Sequence, residues 1–283
     1  MPSMDDFSVR FWGVRGSIPR PGSTTVRYGG NTPCLEMRCG DRLLIFDAGT
    51  GLHVLGQHLL DQSPVNAHLF VTHSHLDHIS GLPFFAPAYD PANAFSLWGN
   101  HGTHGMPVRA ALQNLMQVPL FPVPLELMQA QLRFVDFAPG ETLSPAADIE
   151  IRTASLNHPG GAIGYRVDYQ GKSICYLTDT EHYPDRLDMG ILELIRNADI
   201  VIYDATYTDE EYPAYRGWGH STWQEGVKLC QAAGVRSFVA FHHAPEHDDD
   251  FLDHMAAELY QAPYLRALVA REGMALHPAL DTR

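Results

Sequence analysis

The segment Thr72-His73-Ser74-His75-Leu76-Asp77-His78 constrains this chain more than any other. It follows directly on a short apolar run, Ala67–Val71, that reads as a β-strand. Residues two apart on an extended segment project to the same side, so His73 and His75 share a face. Asp77 and His78 arrive as the chain turns toward a short helix, and they aim at a second point. Two imidazoles beside a carboxylate–imidazole pair are ligands for two neighbouring cations. The spacing differs from H-E-x-x-H, in which one helix face presents both histidines to a single zinc. Imidazole and carboxylate suit Zn²⁺, and also Mn²⁺ or Fe²⁺.

Such a centre needs ligands from elsewhere, and they occur after strand-like runs. His158 follows Ile149–Leu156, Asp179 follows Ile174–Leu177, and His242 follows Phe238–Phe241. Functional groups in open α/β sheets collect where strands end. The doublet His242-His243 offers two choices for the last ligand; His242 is preferred as the first residue beyond the strand. The chain holds 16 histidines, so most of the remainder need a different explanation. His53, His58, His68, His101, His104, His254 and His277 have no metal-like neighbourhood and read as surface or structural residues.

Around these residues the sequence alternates strand and helix signals. Strands are expected at Phe7–Trp12, at Cys34–Arg38 and Leu43–Phe46 as a hairpin about Gly40-Asp41, and at Ile149–Ala154, Ile163–Tyr169, Ser173–Leu177, Ile200–Tyr203 and Phe238–Phe241. Helical spacing predicts Leu52–Leu60, Val108–Val118, Leu187–Ala198, Ser221–Ala233 with Gly234 as its stop, and Asp248–Tyr260 with an acidic start. The Pro-rich stretch Pro119–Pro124 reads as an ordered loop. With no repeat of fixed period and no linker, residues 1–283 are expected to form one α/β domain.

Composition excludes several classes. A net charge of −14 opposes a long polyanion, which needs a basic footprint, but not a small anion held by cations. No window is long and apolar enough to span a bilayer, and the first residues lack a basic-then-apolar leader. The four cysteines form no C-x-x-C pair and read as reduced thiols, so a cytoplasmic protein is expected.

The order D…HxHxDH…H…D…H resembles the metallo-β-lactamase superfamily over nearly the whole chain. The resemblance implies a four-layer αβ/βα sandwich: two mixed β-sheets face to face, flanked by helices, with two divalent metals at one edge. It places His73, His75 and His158 on the first metal, Asp77, His78 and His242 on the second, and Asp179 between them. Asp47, in Phe46-Asp47-Ala48-Gly49, would orient ligands from behind.

Two further features are similar to the phosphodiesterase branch, which includes tRNA 3′-processing ribonuclease Z and PhnP-type cyclic phosphodiesterases. Gly219-His220-Ser221-Thr222 opens a helix, preceded by Tyr203-Asp204-Ala205-Thr206. The resemblance gives His220 a contact with the scissile phosphate and pairs it with Asp204; the tRNA enzymes usually carry Glu there. Ser221 or Thr222 could equally be a plain helix cap. The Gly-rich stretches around Arg15-Gly16-Ser17 and Gly29-Gly30-Asn31-Thr32 read either as turns or as a wall of an anion pocket containing Asn31 and Thr32; Thr180 and Arg216 are further candidates for contact with substrate. The tRNA enzymes carry a long arm between the equivalents of His158 and Asp179. Here only 20 residues separate them, enough for a hairpin.

The expectation is therefore hydrolysis of a small phosphodiester or cyclic nucleotide by a hydroxide between two metals, Zn²⁺ first and Mn²⁺ or Fe²⁺ as alternatives. Two divalent cations against Asp77, Asp179 and hydroxide leave a positive centre in an acidic chain. Asp77 would orient the hydroxide, and His220 held by Asp204 would stabilise the transition state or protonate the leaving group. A thioester, lactone or β-lactam hydrolase on the same metals is the alternative, and a non-hydrolytic metal sensor a third reading. No membrane and no long nucleic acid are expected as partners, and self-association into a homodimer is left open. The aromatic run Tyr203 to Trp218 reads as a base-stacking surface, a packed loop or a subunit contact.

Overall fold

The computed structural model describes residues 7–100, 106–261 and 265–278. In chain order the strands are β1 (Phe7–Gly13), β2 (Cys34–Cys39), β3 (Arg42–Phe46), β4 (Asn66–Phe70), β5 (Ala94–Asn100), β6 (Gln131–Phe137), β7 (Thr142–Ala146), β8 (Ile149–Leu156), β9 (Ala162–Tyr169), β10 (Lys172–Leu177), β11 (Ile200–Asp204), β12 (Ser237–Phe241), β13 (Arg266–Val269) and β14 (Ala275–Leu276). The helices are α1 (Gly51–Leu59), α2 (Leu76–Ile79), α3 (Val108–Leu115), α4 (Met189–Leu194), α5 (Trp223–Ala232) and α6 (Asp249–Leu259).

Two seven-stranded sheets result, ordered β14-β1-β2-β3-β4-β5-β6 and β13-β12-β11-β10-β9-β8-β7. Each is mixed. β1, β2 and β3 run antiparallel, and β3 to β6 parallel. In the other sheet β7 to β10 run antiparallel and β10 to β13 parallel. One apolar core lies between the sheets, and two more lie under the helices on either side. The four expected layers are present.

Strand alternation explains the layering. On β3, Leu44 and Phe46 enter the core between the sheets while Leu43 and Ile45 face the helix side. Phe46 stacks on Phe70 at 5.1 Å, and Tyr165 and Tyr176 of the other sheet meet Phe46 edge-on at 5.3 and 6.1 Å. Such aromatic pairs add about 0.5–1.5 kcal/mol each beyond area burial. Both tyrosines also carry their hydroxyls through the core to the site edge. Tyr165 donates to the Val71 carbonyl at 2.7 Å, and Tyr176 to Asp47 at 2.8 Å. The core therefore fixes the strand ends from which the functional residues project.

Helix ends differ from expectation for identifiable reasons. α4 begins at Met189 because the Asp188 side chain caps Gly190 and Ile191, and α5 begins at Trp223 because Thr222 caps Glu225. Each cap contributes about 1 kcal/mol. α3 stops at Leu115 rather than Val118, in keeping with the bias of a residue before proline away from helix. All four cysteines are free and buried. Among the described residues no helix is long and apolar enough to cross a membrane.

Candidate active site

The site lies where β3, β4, β10, β11 and β12 end. β4 delivers the chain at Thr72. Asp47, just beyond β3, accepts from the Thr72 amide at 2.8 Å, the Thr72 hydroxyl at 3.0 Å, Tyr176 at 2.8 Å and the His78 ring at 2.8 Å. Asp47, Asp179 and His242 all have left-handed backbones, with φ of 61°, 58° and 63°. That conformation costs about 1–2 kcal/mol per residue. Its recurrence at three strand ends marks them as places where the packed sheet pays for side-chain aim.

Hydrogen bonds fix which nitrogen each imidazole presents. The Thr72 hydroxyl spends its proton on Asp47, so it accepts from His73 Nδ1 at 3.1 Å. His78 Nδ1 donates to Asp47, and His158 Nδ1 donates to the Gly219 carbonyl at 2.8 Å. His242 Nδ1 donates to the Thr206 hydroxyl at 3.0 Å, whose own proton is shared between Asp204 and the His242 carbonyl. Four rings are thus held with Nε2 as the lone-pair nitrogen. Gly219 makes one of these bonds possible: a Cβ there would lie 2.4 Å from His158 Nδ1, and its φ is +85°.

These lone pairs converge in two adjoining groups. His73 Nε2, His158 Nε2 and His75 Nδ1 meet with separations of 2.9 and 3.1 Å from the His75 nitrogen. Asp179 Oδ2 faces this group at 3.6 Å from both His73 and His158. Asp179 Oδ1 faces the second group, 3.1 Å from His78 Nε2 and 3.2 Å from His242 Nε2. Asp77 Oδ2 completes it at 3.2 and 3.3 Å from the same nitrogens. Each group can hold a metal ion. The donor set fits divalent cations: lone pairs point at one another, and the buried Nε2 of His78 has no hydrogen-bond partner. Asp179, with one oxygen toward each group, stands where a bridging carboxylate would.

The electrostatics agree. Burial, reinforced by neighbouring imidazoles, drives the pKa of His73 well below its ordinary value, and burial lowers His75 and His158 as well. All three are therefore neutral ligands near pH 7. Burial works to raise Asp77 and Asp179, but adjacent histidines outweigh it and hold both carboxylates well below the usual range. His78 is opposite: burial opposes charge, yet Asp179, Asp77 and Asp47 push its pKa well up. A cation held among those carboxylates would compete with a proton for the Nε2 lone pair of His78.

Beside the second group, His220 Nδ1 donates to Asp204 Oδ2 at 2.9 Å. Asp204 is fully buried and also accepts from the Thr206 amide and hydroxyl and the Thr180 amide. Burial disfavours charge on His220, but Asp204, with Asp179 and Asp77 behind it, raises its pKa to about 9. The ring stacks on His242 at 4.9 Å, and its Nε2 has no partner among the described residues.

A family profile described as a β-lactamase superfamily domain matches residues 42–243, which contain every group just described. The chain belongs to the metallo-β-lactamase superfamily. Its ribonuclease Z relatives mark it as a metal-dependent hydrolase of that superfamily. Relatives include ribonuclease Z of Haloferax volcanii, 26% identical over 318 aligned positions that cover 94% of this chain and 93% of the relative. Ribonuclease Z of a Bradyrhizobium species is 24% identical, covering 90% and 96%. Among solved structures, a diphosphatase of the PhnP family superposes with a TM-score of 0.70 at 17% identity, covering 97% of this chain and 98% of that one. Human tRNase Z, short form, gives 0.67 at 18%, covering 96% and 100%. These structural likenesses establish the superfamily fold.

The structure decides the histidine doublet: His242 Nε2 faces the second group, whereas His243 Nε2 donates to the Ala270 carbonyl at 2.8 Å and burial lowers its pKa to about 3. Asn31 is bound through amide and side chain to Glu272, and Thr32 exchanges hydrogen bonds with Thr50, so both brace loops. The Thr180 hydroxyl is buried without a partner, and Arg216 lies 5.6 Å over the Tyr212 ring. The aromatic run is mostly internal packing: Tyr207 stacks on Tyr215 at 4.4 Å, Tyr203 donates to Ser221, and Trp218 remains exposed. His101 and His104 lie outside the described residues.

Sequence reasoning missed Thr72, Thr206, Tyr176 and Glu181. Glu181 accepts from Tyr212 at 2.8 Å and from the Gly217 and Gly219 amides at 2.9 Å. Its place two residues after Asp179 was the one available signal.

Proposed function

We propose that this hydrolase cleaves small phosphodiesters, cyclic nucleotides among them. The buried His220–Asp204 pair at the edge of the second group carries the reading. Hydrolysis of a lactam, lactone or thioester needs a polarised carbonyl and a nucleophile. A cationic imidazole beside the centre instead matches the charge that grows on a phosphate and on its leaving oxygen. When bound, two divalent cations would act as Lewis acids on the phosphoryl oxygens and lower the pKa of the attacking water. Zn²⁺ is the first choice for this imidazole-rich set, with Mn²⁺ or Fe²⁺ as alternatives.

The chain's own residues divide the remaining work. Asp77, whose Oδ2 also accepts from the Ser17 amide at 2.9 Å, would orient the attacking water. His220 would donate its Nε2 proton to the leaving oxygen, and Asp204 would hold the ring and sustain its charge. Asp179 would keep the two cations at one spacing.

A small substrate is favoured over tRNA. The 20 residues between His158 and Asp179 are taken up by a short turn and the β9–β10 hairpin. The 318 aligned positions with the Haloferax relative exceed the 283 residues here, so that relative carries insertions without a counterpart in this chain. The net charge of −14 also opposes a long polyanion. We place the protein in the cytoplasm, with a small anion as its main partner.

The test is a panel on metal-reconstituted protein: bis-p-nitrophenyl phosphate, cyclic nucleotides, a thioester, a lactone, a β-lactam and a precursor tRNA. Turnover of the diesters and cyclic nucleotides is expected. No phosphodiester turnover would overturn the reading, and preferred cleavage of the tRNA would overturn the small-substrate part.

A further inference from the structure

A cavity of about 380 Å³ opens beside the first metal-binding group, lined at one end by His73, Ser74 and His75. The rest of its described lining is mostly apolar, Val71, Met106, Val108, Ala111 and Pro159, with Asn100 as the one further polar side chain. Among the described residues no Lys, Arg, Asp or Glu lines it. Such a chamber favours neither a second phosphate nor a cation; it suits an uncharged, largely apolar group.

Local structure holds α3 and the turn after His158 in place around the chamber. Gly99 on β5 lets α3 lie against the strand, because a Cβ there would come within 2.8 Å of Val108. The start of α3 is tied down where the Val108 amide donates to Asp136 Oδ1 at 2.8 Å. The turn after His158 runs through Gly160 at φ +84°, where any side chain would be strained and its Cβ would approach His75. His220, in contrast, adjoins the second group. It stacks on His242 at 4.9 Å and meets His158 of the first group edge-on at 5.4 Å, and it is not among the residues lining the cavity, so the cavity and the acid–base pair occupy different places around the centre.

Resting on the phosphodiesterase reading above, we infer that this cavity is the subsite for the ester group that stays on phosphorus, and that it selects an uncharged group of aromatic-ring size. A diester would bind with phosphate at the centre, its leaving oxygen toward His220 and its retained substituent against Val108 and Ala111. Water attacks phosphorus and releases one proton to solvent, the bond to the leaving oxygen breaks, that oxygen takes the proton from His220, and His220 is reprotonated from solvent. The retained group leaves as the monoester.

Two substrates with the same leaving group isolate the retained one: bis-p-nitrophenyl phosphate retains an aryl group, and methyl p-nitrophenyl phosphate retains a methyl. The wild-type protein should favour the first in kcat/KM by at least about tenfold, in line with what a few carbons contribute in an apolar pocket. Ala111→Phe, which fills the cavity, should lower that ratio about tenfold or more. Met106→Trp, at a half-exposed position where folding is not at stake, should do the same. Calorimetric binding of diphenyl phosphate and dimethyl phosphate gives a second readout, in which both variants weaken the aryl ligand selectively. Wild-type turnover with equal kcat/KM for the two esters, or a ratio and binding preference that neither variant moves, overturns this subsite. A wild-type protein inert to both diesters, with metal restored, overturns the phosphodiesterase reading itself.

Discussion

One backbone conformation decides which of two adjacent histidines reaches the centre. His242 leaves β12 left-handed, and its ring swings to the second group; His243 returns beside Arg15 as a bridge residue and turns inward to Ala270. The sequence names both imidazoles and their distance from the strand, but a sign of φ is not written in residue types. The same holds for Thr72 and Thr206. Their hydroxyls fix imidazole tautomers, a task that any buried threonine could be given or denied by a single rotamer. The ligands themselves were legible because four of them share one short segment and the others end apolar runs. Asp179 is the residue on which both groups depend. Asp179→Ala should leave fewer than two metal equivalents by elemental analysis; two full equivalents would refute its bridging place. The acid–base pair has a pH signature. His220 has a raised pKa, about 9 in the metal-free protein, and bound cations would draw it lower. Its acid form is present below its pKa and lost above it, so under the proposed mechanism it should set the alkaline limb of kcat/KM. Asp204→Asn removes the charge that raises it, so the limb should move to lower pH. A limb that stays in place would mean that His220 is not the acid.

At the scale of elements, the loop from Tyr207 to Gly219 holds the two halves of the chemistry together, and Glu181 holds the loop. By binding the Gly219 amide, Glu181 sets the carbonyl that orients His158 and the start of the segment that carries His220. Glu181→Ala should weaken metal affinity about tenfold at the low end of what such outer partners contribute, and should lower kcat. Competition with a chromophoric chelator measures the first, and unchanged circular dichroism would confirm that the sheets persist. Unaltered affinity and turnover would reduce Glu181 to a surface contact. This clamp was invisible in the sequence because its partners are backbone amides of a distant loop. The elements themselves were unevenly legible. β1 to β4 and β8 to β12 announce themselves by alternation or apolar runs. β6, β7 and β13 do not: Gln131-Leu132-Arg133, Thr142-Leu143-Ser144-Pro145 and Arg266-Ala267 mix polar residues into strands near the sheet margins, where one face meets solvent. β5 is missing for a different reason, since its turn-like Gly99-Asn100 end lies beside the close approach of α3.

Across the whole molecule, the two sheets repeat one plan. Each sets an antiparallel run beside four parallel strands, and β3 in one occupies the place of β10 in the other. Asp47 and Asp179 leave those two strands with nearly the same left-handed turn, yet one braces His78 from behind and the other faces both metal-binding groups. No sequence repeat betrays this, because the pattern lies in strand order and direction and not in residue identity. The consequence is that the candidate ligands come from both sheets. His73, His75, Asp77 and His78 follow β4 of the first, while His158, Asp179 and His242 follow strands of the second. Cations held there would tie the sheets together at an edge otherwise crowded with facing lone pairs and carboxylates. A ligand that binds only the folded chain stabilises it by about 2.7 kcal/mol when present at 100 times its Kd. For a chain of this size each kcal/mol moves the melting temperature by roughly 2–4 °C. Chelation should therefore lower the melting temperature by several degrees, and restored metal should recover it. Asp179→Ala should start lower and respond less, because it lacks the oxygen pair that joins the two groups. His220→Ala should respond as the wild type does if, as proposed, His220 serves turnover; a weaker response would place it in the third group that could hold a cation, with Asp179, Asp204 and His242. Calorimetric scans with and without chelator, with metal content measured on the same samples, separate these cases. A wild-type melting temperature that does not move after its metal is gone would show that the fold is closed by its core alone and that the centre serves only the chemistry.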